Sequence, residues 1–487
     1  MNSRKSGVLL NVSSLPGPFG IGVFGEEAKR FIYNIKEMGF SYWQILPLGN
    51  LDMGNSPYCS NSAFAGNYLY IDPRKLMADG LLSQADVDSC KYKGTPYTVD
   101  YKFAFERKNE ILRKAFKNFK QNSEFQKFID ENEWVVSYAE FCSLKNANQG
   151  KSWIEWTVFD DFSDKEYYIF EQFEFYKQWI EIKSYAKDKG IKIIGDMPFY
   201  VAYDSVDVYA NKDLFLLDSE TFKPTDVAGV PPDYFSKDGQ LWGNPLYNWK
   251  KMEKDGYKWW CERVKNNLKL YDVLRIDHFR AVASFWSVPA SAKTAKEGCW
   301  CKGPGMKLIN AISNVAEDTD GTFIAEDLGV FGEDVIKLLK ESKLPGMRVI
   351  QFAFDGDVNC THLPYNYDKN TIAYTGTHDN NTLLGWLWEA TPDERKRCLD
   401  YCRFYGNNWG DGGYKSESVR AIIETVWASV SNTCIIAFQD MCGFGSDARM
   451  NIPGVCELNW RFRTTEKTIN EIDKEYFKKL NAFYGRK

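Results

Sequence analysis

Eight short apolar runs punctuate the chain. They begin near Val8 (VLLNV), Tyr42 (YWQILPL), Lys192 (KIIGD), Val273 (VLRID), Thr322 (TFIAED), Met347 (MRVIQFAF), Thr371 (TIAYTG) and Cys434 (CIIAFQD). Runs that are apolar without alternation predict strands buried on both faces, as in a parallel sheet. Most of them end at Gly, Pro, Asn or Asp, and helical stretches separate them. Eight strand–loop–helix units predict an α/β fold, a (β/α)8 TIM barrel. A long doubly wound sheet has the same periodicity, because periodicity is blind to closure.

The spacing is uneven, and the excess predicts insertions. The second and third runs lie 150 residues apart, far more than one crossover requires, so a helical subdomain is expected at about 51–165. Its pattern places Phe105, Ile111, Leu112, Ala115, Phe116 and Phe119 at helical spacing. The barrel is then expected to comprise 1–50 and 166–487. A long helix is expected from about Glu166 to Lys189, stopped by Gly190. A second insertion, rich in Pro, Gly, Tyr and Trp, falls at about 198–265. The last 23 residues read as one terminal helix carrying Ile469, Ile472, Phe477, Leu480 and Phe483.

Composition narrows the function classes. Lys and Arg total 61 against 66 Asp and Glu, a net charge of −5, which gives no electrostatic reason to bind nucleic acid or an anionic membrane. No apolar run approaches the ~18 residues of a membrane span. The N-terminal apolar stretch is broken by Asn11 and does not read as an export signal. Twelve cysteines are scattered without a C-x-x-C pair; Cys299/Cys301 and Cys398/Cys402 are the closest. Reduced thiols in a cytoplasmic protein are expected, rather than a disulfide framework or zinc site. Aromatics make up 16% of the chain while histidine occurs three times. Aromatic rings fill cores, and they also stack on the C–H faces of sugars.

Two motif matches are decoys. Gly20-Ile21-Gly22-Val23-Phe24-Gly25 fits a dinucleotide fingerprint, but Ser13–Pro18 separates it from its strand and the next strand ends in Leu46-Pro47-Leu48-Gly49-Asn50, without a carboxylate. Asp355-Gly356-Asp357-Val358-Asn359 starts like a calcium loop, but Cys360 stands where glycine is required and Asn366 where a bidentate glutamate belongs.

The informative pattern is the carboxylates at strand ends: Asp196, Asp277, Glu326 and Asp379. Any one of them could be a helix cap. Four together, two of them beside His278 and His378, point to one shared barrel mouth. Arg275 and Asp277 are two apart on a strand and share a face, which favours an ionised Asp277 suited to nucleophilic attack. Glu326 shares a face with Ile324, and apolar neighbours favour a protonated acid. A pair of carboxyls tuned apart is the equipment of glycoside chemistry.

Longer phrases carry a resemblance: Ser14-Leu15-Pro16-Gly17; Ser56-Pro57-Tyr58 with Ser62-Ala63-Phe64-Ala65-Gly66-Asn67; Gly195-Asp196-Met197-Pro198-Phe199-Tyr200; Gly229-Val230-Pro231-Pro232-Asp233-Tyr234-Phe235; Gly239-Gln240-Leu241-Trp242-Gly243-Asn244-Pro245; Arg275-Ile276-Asp277-His278-Phe279-Arg280; Ala325-Glu326-Asp327-Leu328-Gly329; and Thr377-His378-Asp379-Asn380. From first strand to last helix the chain resembles the amylomaltases, the 4-α-glucanotransferases or disproportionating enzymes of glycoside hydrolase family 77. The resemblance implies a retaining double displacement on α-1,4-glucan in a (β/α)8 barrel, with a maltooligosaccharide or glucose as acceptor and no cofactor or metal. It implies Asp277 as nucleophile, Glu326 as general acid/base and Asp379 as the third carboxylate, holding the 2- and 3-hydroxyls of the bound glucose. Arg275, Asp196, His378 and Tyr58 match sugar-contacting positions. Gln240 and Trp242 match a loop covering the cleft, and Ser56 and Asn459 match further substrate contacts. The chain departs from the family pattern at Asn11, where His or Pro is usual, at Asn381 for Asp, at Tyr365 for His, and at Leu458 for Gly. None of these touches the three carboxylates. A hydrolase using water as acceptor, or a glucan-binding protein without turnover, remains the alternative at this stage.

Overall fold

The computed structural model describes residues 4–51, 54–232, 237–329, 332–455 and 458–487. Asp233, Tyr234 and Phe235 of the quoted phrases, and Cys456, lie outside the described residues.

Each of the eight apolar runs supplies one strand. They are β1 (Lys5–Leu9), β2 (Tyr42–Gln44), β3 (Lys192–Met197), β6 (Val273–Ile276), β9 (Thr322–Ala325), β10 (Gly346–Val349), β11 (Thr371–Tyr374) and β12 (Thr433–Ala437); β4 (Asp226–Val230), β5 (Gln240–Pro245), β7 (Ser284–Pro289) and β8 (Cys299–Lys302) lie outside those runs. The eight pair in parallel in the order β10-β11-β12-β1-β2-β3-β6-β9. The remaining gap is bridged at its edge, where the Ala325 N–H donates to the Pro345 carbonyl at 3.0 Å. Arg348 on β10 also pairs with Asp327 after β9 at 2.9 Å. The sheet is a nearly closed TIM barrel. β1 ends at Leu9, earlier than its apolar run, because Val12–Ser14 turns into a 3-10 helix.

The four remaining strands form a small antiparallel sheet in the order β5-β4-β7-β8. The apolar pattern does not announce it. β5 and β8 are largely exposed, and β5 ends in proline, so neither shows the buried run on which the barrel strands were recognised.

Between β2 and β3 lie helices at Tyr101–Asn118, Ser123–Glu131 and Trp134–Ala147. Ile111, Leu112 and Ala115 are buried at the predicted spacing, with Phe105, Phe116 and Phe119 packed against them. The long helix is Lys165–Asp188, and Gly190 follows it at φ +70°, the left-handed conformation that ends helices. This helix grips the chain that leads away from the cleft. Gln172 accepts from the Gly66 N–H at 2.7 Å and donates to the Gly66 carbonyl at 3.0 Å. The Tyr176 hydroxyl donates to the Phe64 carbonyl at 2.9 Å.

The C-terminus corrects one expectation. Instead of one helix there are two, Glu466–Glu471 and Lys474–Phe483. Ile472 is extended, and the Asp473 carboxylate accepts the Tyr476 N–H at 3.1 Å, starting a new helix by capping it. Phe483, expected on the apolar face, is 81% exposed. Two arginines close the bottom of the barrel. Arg4 donates to the carbonyls of Trp427, Ser429 and Tyr484, and Arg486 to those of Trp427, Ser429 and Ser431. The carbonyls of Trp427, Ser429 and Ser431 lie just before β12, at the end opposite the carboxylates.

Most of the aromatic excess is core: Trp43, Trp179, Trp260 and Trp427 are fully buried. Among the described residues, no helix is long and apolar enough to cross a membrane.

Candidate active site

The C-terminal ends of β3, β6, β9 and β11 bring Asp196, Asp277, Glu326 and Asp379 to one mouth, because parallel strands of a barrel all end on the same side. Arg275 organises the group from below. Its Nη1 lies 2.6 Å from Asp196 Oδ2 and 3.0 Å from Asp277 Oδ1. Burial disfavours the guanidinium charge, but Asp196 and Asp277 outweigh it and hold Arg275 firmly protonated. The face shared by Arg275 and Asp277 is thus realised as an ion pair, and Asp277 keeps 26% of its side chain open to the cleft.

Glu326 has a different environment. Withdrawal from water pushes its carboxyl up to about 7, with Asp277 adding to the rise and Arg275 opposing it. Its oxygens are fixed by backbone: Oε2 accepts the His278 N–H at 2.8 Å and Oε1 the Leu328 N–H at 2.7 Å. His278 follows Asp277 directly and adopts φ +48°. This sparsely populated conformation aims its N–H at Glu326 and so ties the two carboxyl residues through one peptide unit. Burial pushes the His278 imidazole down to about 4, so the ring stays neutral near pH 7.

On the other flank, the Tyr58 hydroxyl donates to Asp196 Oδ2 at 2.8 Å, and its ring stacks on His378 with centroids 5.1 Å apart. His378 Nε2 lies 3.4 Å from Asp379 Oδ2. Burial raises the Asp379 carboxyl, but His378, Asn451 and Arg275 outweigh it and hold Asp379 well below the usual carboxylate range. The carboxylate is therefore charged across the working pH range and 46% exposed to the cleft.

Trp242, on β5 of the small sheet, meets the His278 ring edge-on at 4.8 Å and donates its indole N–H to Gln240 Oε1 at 3.1 Å. It is 38% exposed and belongs to the rim of the mouth, not the core. Ser56 shapes the turn before Tyr58, whose N–H it accepts at 3.3 Å. Asn459 is not brought against the carboxylates. Its amide is used within its own loop, on the N–H and carbonyl of Ile452 and the carbonyl of Val455.

Two neighbours of Asp379 were not singled out from sequence. Asn451 donates to Asp379 Oδ1 at 2.6 Å, and Arg449 donates to the Asp379 backbone carbonyl at 2.7 Å. The available signal was weak: an Arg-x-Asn in the loop region beyond the last barrel strand, before Pro453-Gly454.

Two departures from the family pattern, Asn11 and Asn381, line the same cavity as His378. Asn11 is buried and donates to Ser13 at 2.7 Å. Asn381 is buried and donates to Ser446 at 2.9 Å. Tyr365 is exposed. Leu458 adopts φ +65°, which explains why glycine suits that position.

Residues 10–468 match a family model described as 4-alpha-glucanotransferase of glycoside hydrolase family 77. A 4-alpha-glucanotransferase of Clostridium butyricum is 43% identical over 98% of this chain and 100% of its own length. One from Aquifex aeolicus is 42% identical over 99% of both. The solved structure of an amylomaltase from Streptococcus agalactiae in complex with acarbose superposes with a TM-score of 0.92 at 38% identity, covering 99% of each chain. The mouth with its four carboxylates, the barrel beneath it and these full-length matches agree: the chain belongs to glycoside hydrolase family 77, the 4-alpha-glucanotransferases.

Proposed function

We propose that the cleft cuts an α-1,4-glucan and passes the glucosyl segment to the 4-hydroxyl of a maltooligosaccharide or glucose, by a retaining double displacement. Glu326 protonates the glycosidic oxygen while Asp277 attacks C1, giving a glucosyl ester on Asp277. Glu326, now ionised, takes the proton from the acceptor hydroxyl, which attacks C1 and releases Asp277. The observation that carries this is the contrast between the two carboxyls' surroundings. Glu326 holds its proton to about pH 7, while Asp277 sits in an ion pair with Arg275.

The other residues have roles that follow from their groups. Asp379, charged and open to the cleft, accepts hydrogen bonds from the 2- and 3-hydroxyls. Tyr58, His378, Asp196 and Arg275 form the wall around that glucose. Gln240 and Trp242 cover the acceptor side and limit water. Ser56 and Asn459 shape the two loops that border the substrate. In the same reading, 51–165 is a helical subdomain inserted in the catalytic barrel of 1–50 and 166–487, with 198–265 over the cleft. A reducing, cytoplasmic setting is supported by the buried cysteines Cys90, Cys142, Cys398, Cys402, Cys434 and Cys442, which are thiols.

Incubation with maltotriose and chromatography of the products tests the reaction. Transfer gives a ladder of longer maltooligosaccharides plus glucose; glucose and maltose alone mean hydrolysis. Asp277→Asn should keep the fold and lose at least ~10³-fold in turnover, as for a member of a coupled catalytic unit. Near-normal transfer by this variant would remove Asp277 as nucleophile.

A further inference from the structure

We infer that Asn451 and Arg449 are positioning residues for Asp379, and that the segment 449–452 sets the orientation of the third carboxylate. This rests on the reading of Asp379 given above.

The geometry is specific. Asp379 lies on a half-buried bend beyond the end of β11, and its carboxylate could rotate about its side-chain bonds. Each of its oxygens instead has a neighbour: Oδ1 the Asn451 amide at 2.6 Å, Oδ2 the His378 ring at 3.4 Å. Its backbone is held as well, by Arg449 on its carbonyl at 2.7 Å and by Thr377, whose hydroxyl accepts the Asp379 N–H at 3.2 Å. Arg449 also donates to the Asn451 carbonyl at 2.8 Å, so one guanidinium fixes donor and recipient together. Directly after Asn451, the Asn459 amide bridges the N–H and carbonyl of Ile452 and closes the loop on itself. Asn459 therefore reaches the sugar site through Asn451.

The function of such a device is geometric. A carboxylate that grips two sugar hydroxyls must keep the ring aligned with Asp277 as C1 moves, and a displacement of about 1 Å can cost roughly 10²-fold in rate. An amide is the suitable partner, because it donates to a charged carboxylate without neutralising it.

The charged and titratable groups facing Asp379 are His378 on its own segment, Arg275 from β6, Tyr58 from the loop after β2, and Arg449, which in turn faces Glu389. Asn451 contributes a neutral donor among them. Replacing it by Asp gives a donor only while the new carboxyl is protonated. Two carboxylates at this distance share one proton, and that proton is lost at a pH above the ordinary aspartate range.

The experiment compares Asn451→Ala, Asn451→Asp and Asp379→Ala with the wild type. It measures melting temperature, and kcat and KM for maltotriose from pH 4.5 to 8.5. The expected result for Asn451→Ala is a nearly unchanged melting temperature and kcat lower by about 10- to 100-fold at every pH. For Asn451→Asp, activity should recover at low pH and fall as pH rises through the shared-proton range, so that its alkaline limb lies below that of the wild type. A merely structural Asn451 would lower the melting temperature and leave the shape of the pH profile unchanged; that result overturns the inference. If Asp379→Ala itself retains full turnover, the reading of Asp379 fails instead. If Asp379→Ala is inactive while both Asn451 variants behave like the wild type, only the positioning role fails.

Discussion

Withdrawn from water and placed beside Asp277, Glu326 keeps its proton to about pH 7. The sign of the consequence is fixed by its role. An acid must be protonated to assist departure, so kcat/KM in the free enzyme falls as pH rises through about 7. A pH profile with maltotriose should show an alkaline limb centred there, and Glu326→Gln should abolish it. A limb that survives the substitution would assign the acid elsewhere. At the same scale, Leu458 pays for a left-handed backbone with no packing in return, since it is 78% exposed at φ +65°. That conformation costs a side-chain-bearing residue ~1–2 kcal/mol, partly offset by the flexibility of glycine in the unfolded chain. Leu458→Gly should therefore raise stability by about 0.5–1 kcal/mol, read as a higher denaturant midpoint with unchanged transfer activity.

Among the elements, the small sheet and the long helix each bear on the site. β5 carries Trp242 at the rim, with 38% of its surface exposed. A buried tryptophan cut to alanine costs ~3–5 kcal/mol; Trp242→Ala should cost far less. It should instead admit water, raising glucose released per transfer event from maltotriose. Melting temperature and product ratio on one preparation decide this, and a large fall in melting temperature with a constant ratio would make Trp242 a structural residue of the rim without a role in excluding water. The long helix acts through Gln172. A leucine there is close in size but leaves the Gly66 N–H and carbonyl without partners, at about 1–3 kcal/mol each. Gln172→Leu should lower stability by roughly 2–4 kcal/mol. It should also raise KM, because the loosened segment carries Tyr58. An unchanged KM would show that Tyr58 is held by Asp196 and His378 alone.

For the molecule as a whole, legibility in the sequence followed burial. The barrel strands were readable because each carries a mostly apolar run without alternation, and the three carboxylates because they follow such runs. The small sheet was not, because β5 and β8 face water and carry no such run. Asn451 was missed for a related reason: its value lies in one contact to a residue 72 positions away in the chain, and no local pattern encodes it. The terminal helix was overextended because its apolar spacing continues through Ile472, while the break is made by the Asp473 cap. The aromatic excess, ambiguous in composition, divides by position: large fully buried rings below, Tyr58 and Trp242 at the mouth.

The arginine clasp beneath the barrel has a practical side. Arg4 and Arg486 hold the chain before β1 and after the last helix against the same stretch of carbonyls, on the floor facing away from the carboxylates. A tether attached at either end would leave from that floor. Fixed to a bead or a surface in this way, every molecule would present its opening outward, so even a long, branched or partly insoluble polymer could thread in without meeting the support.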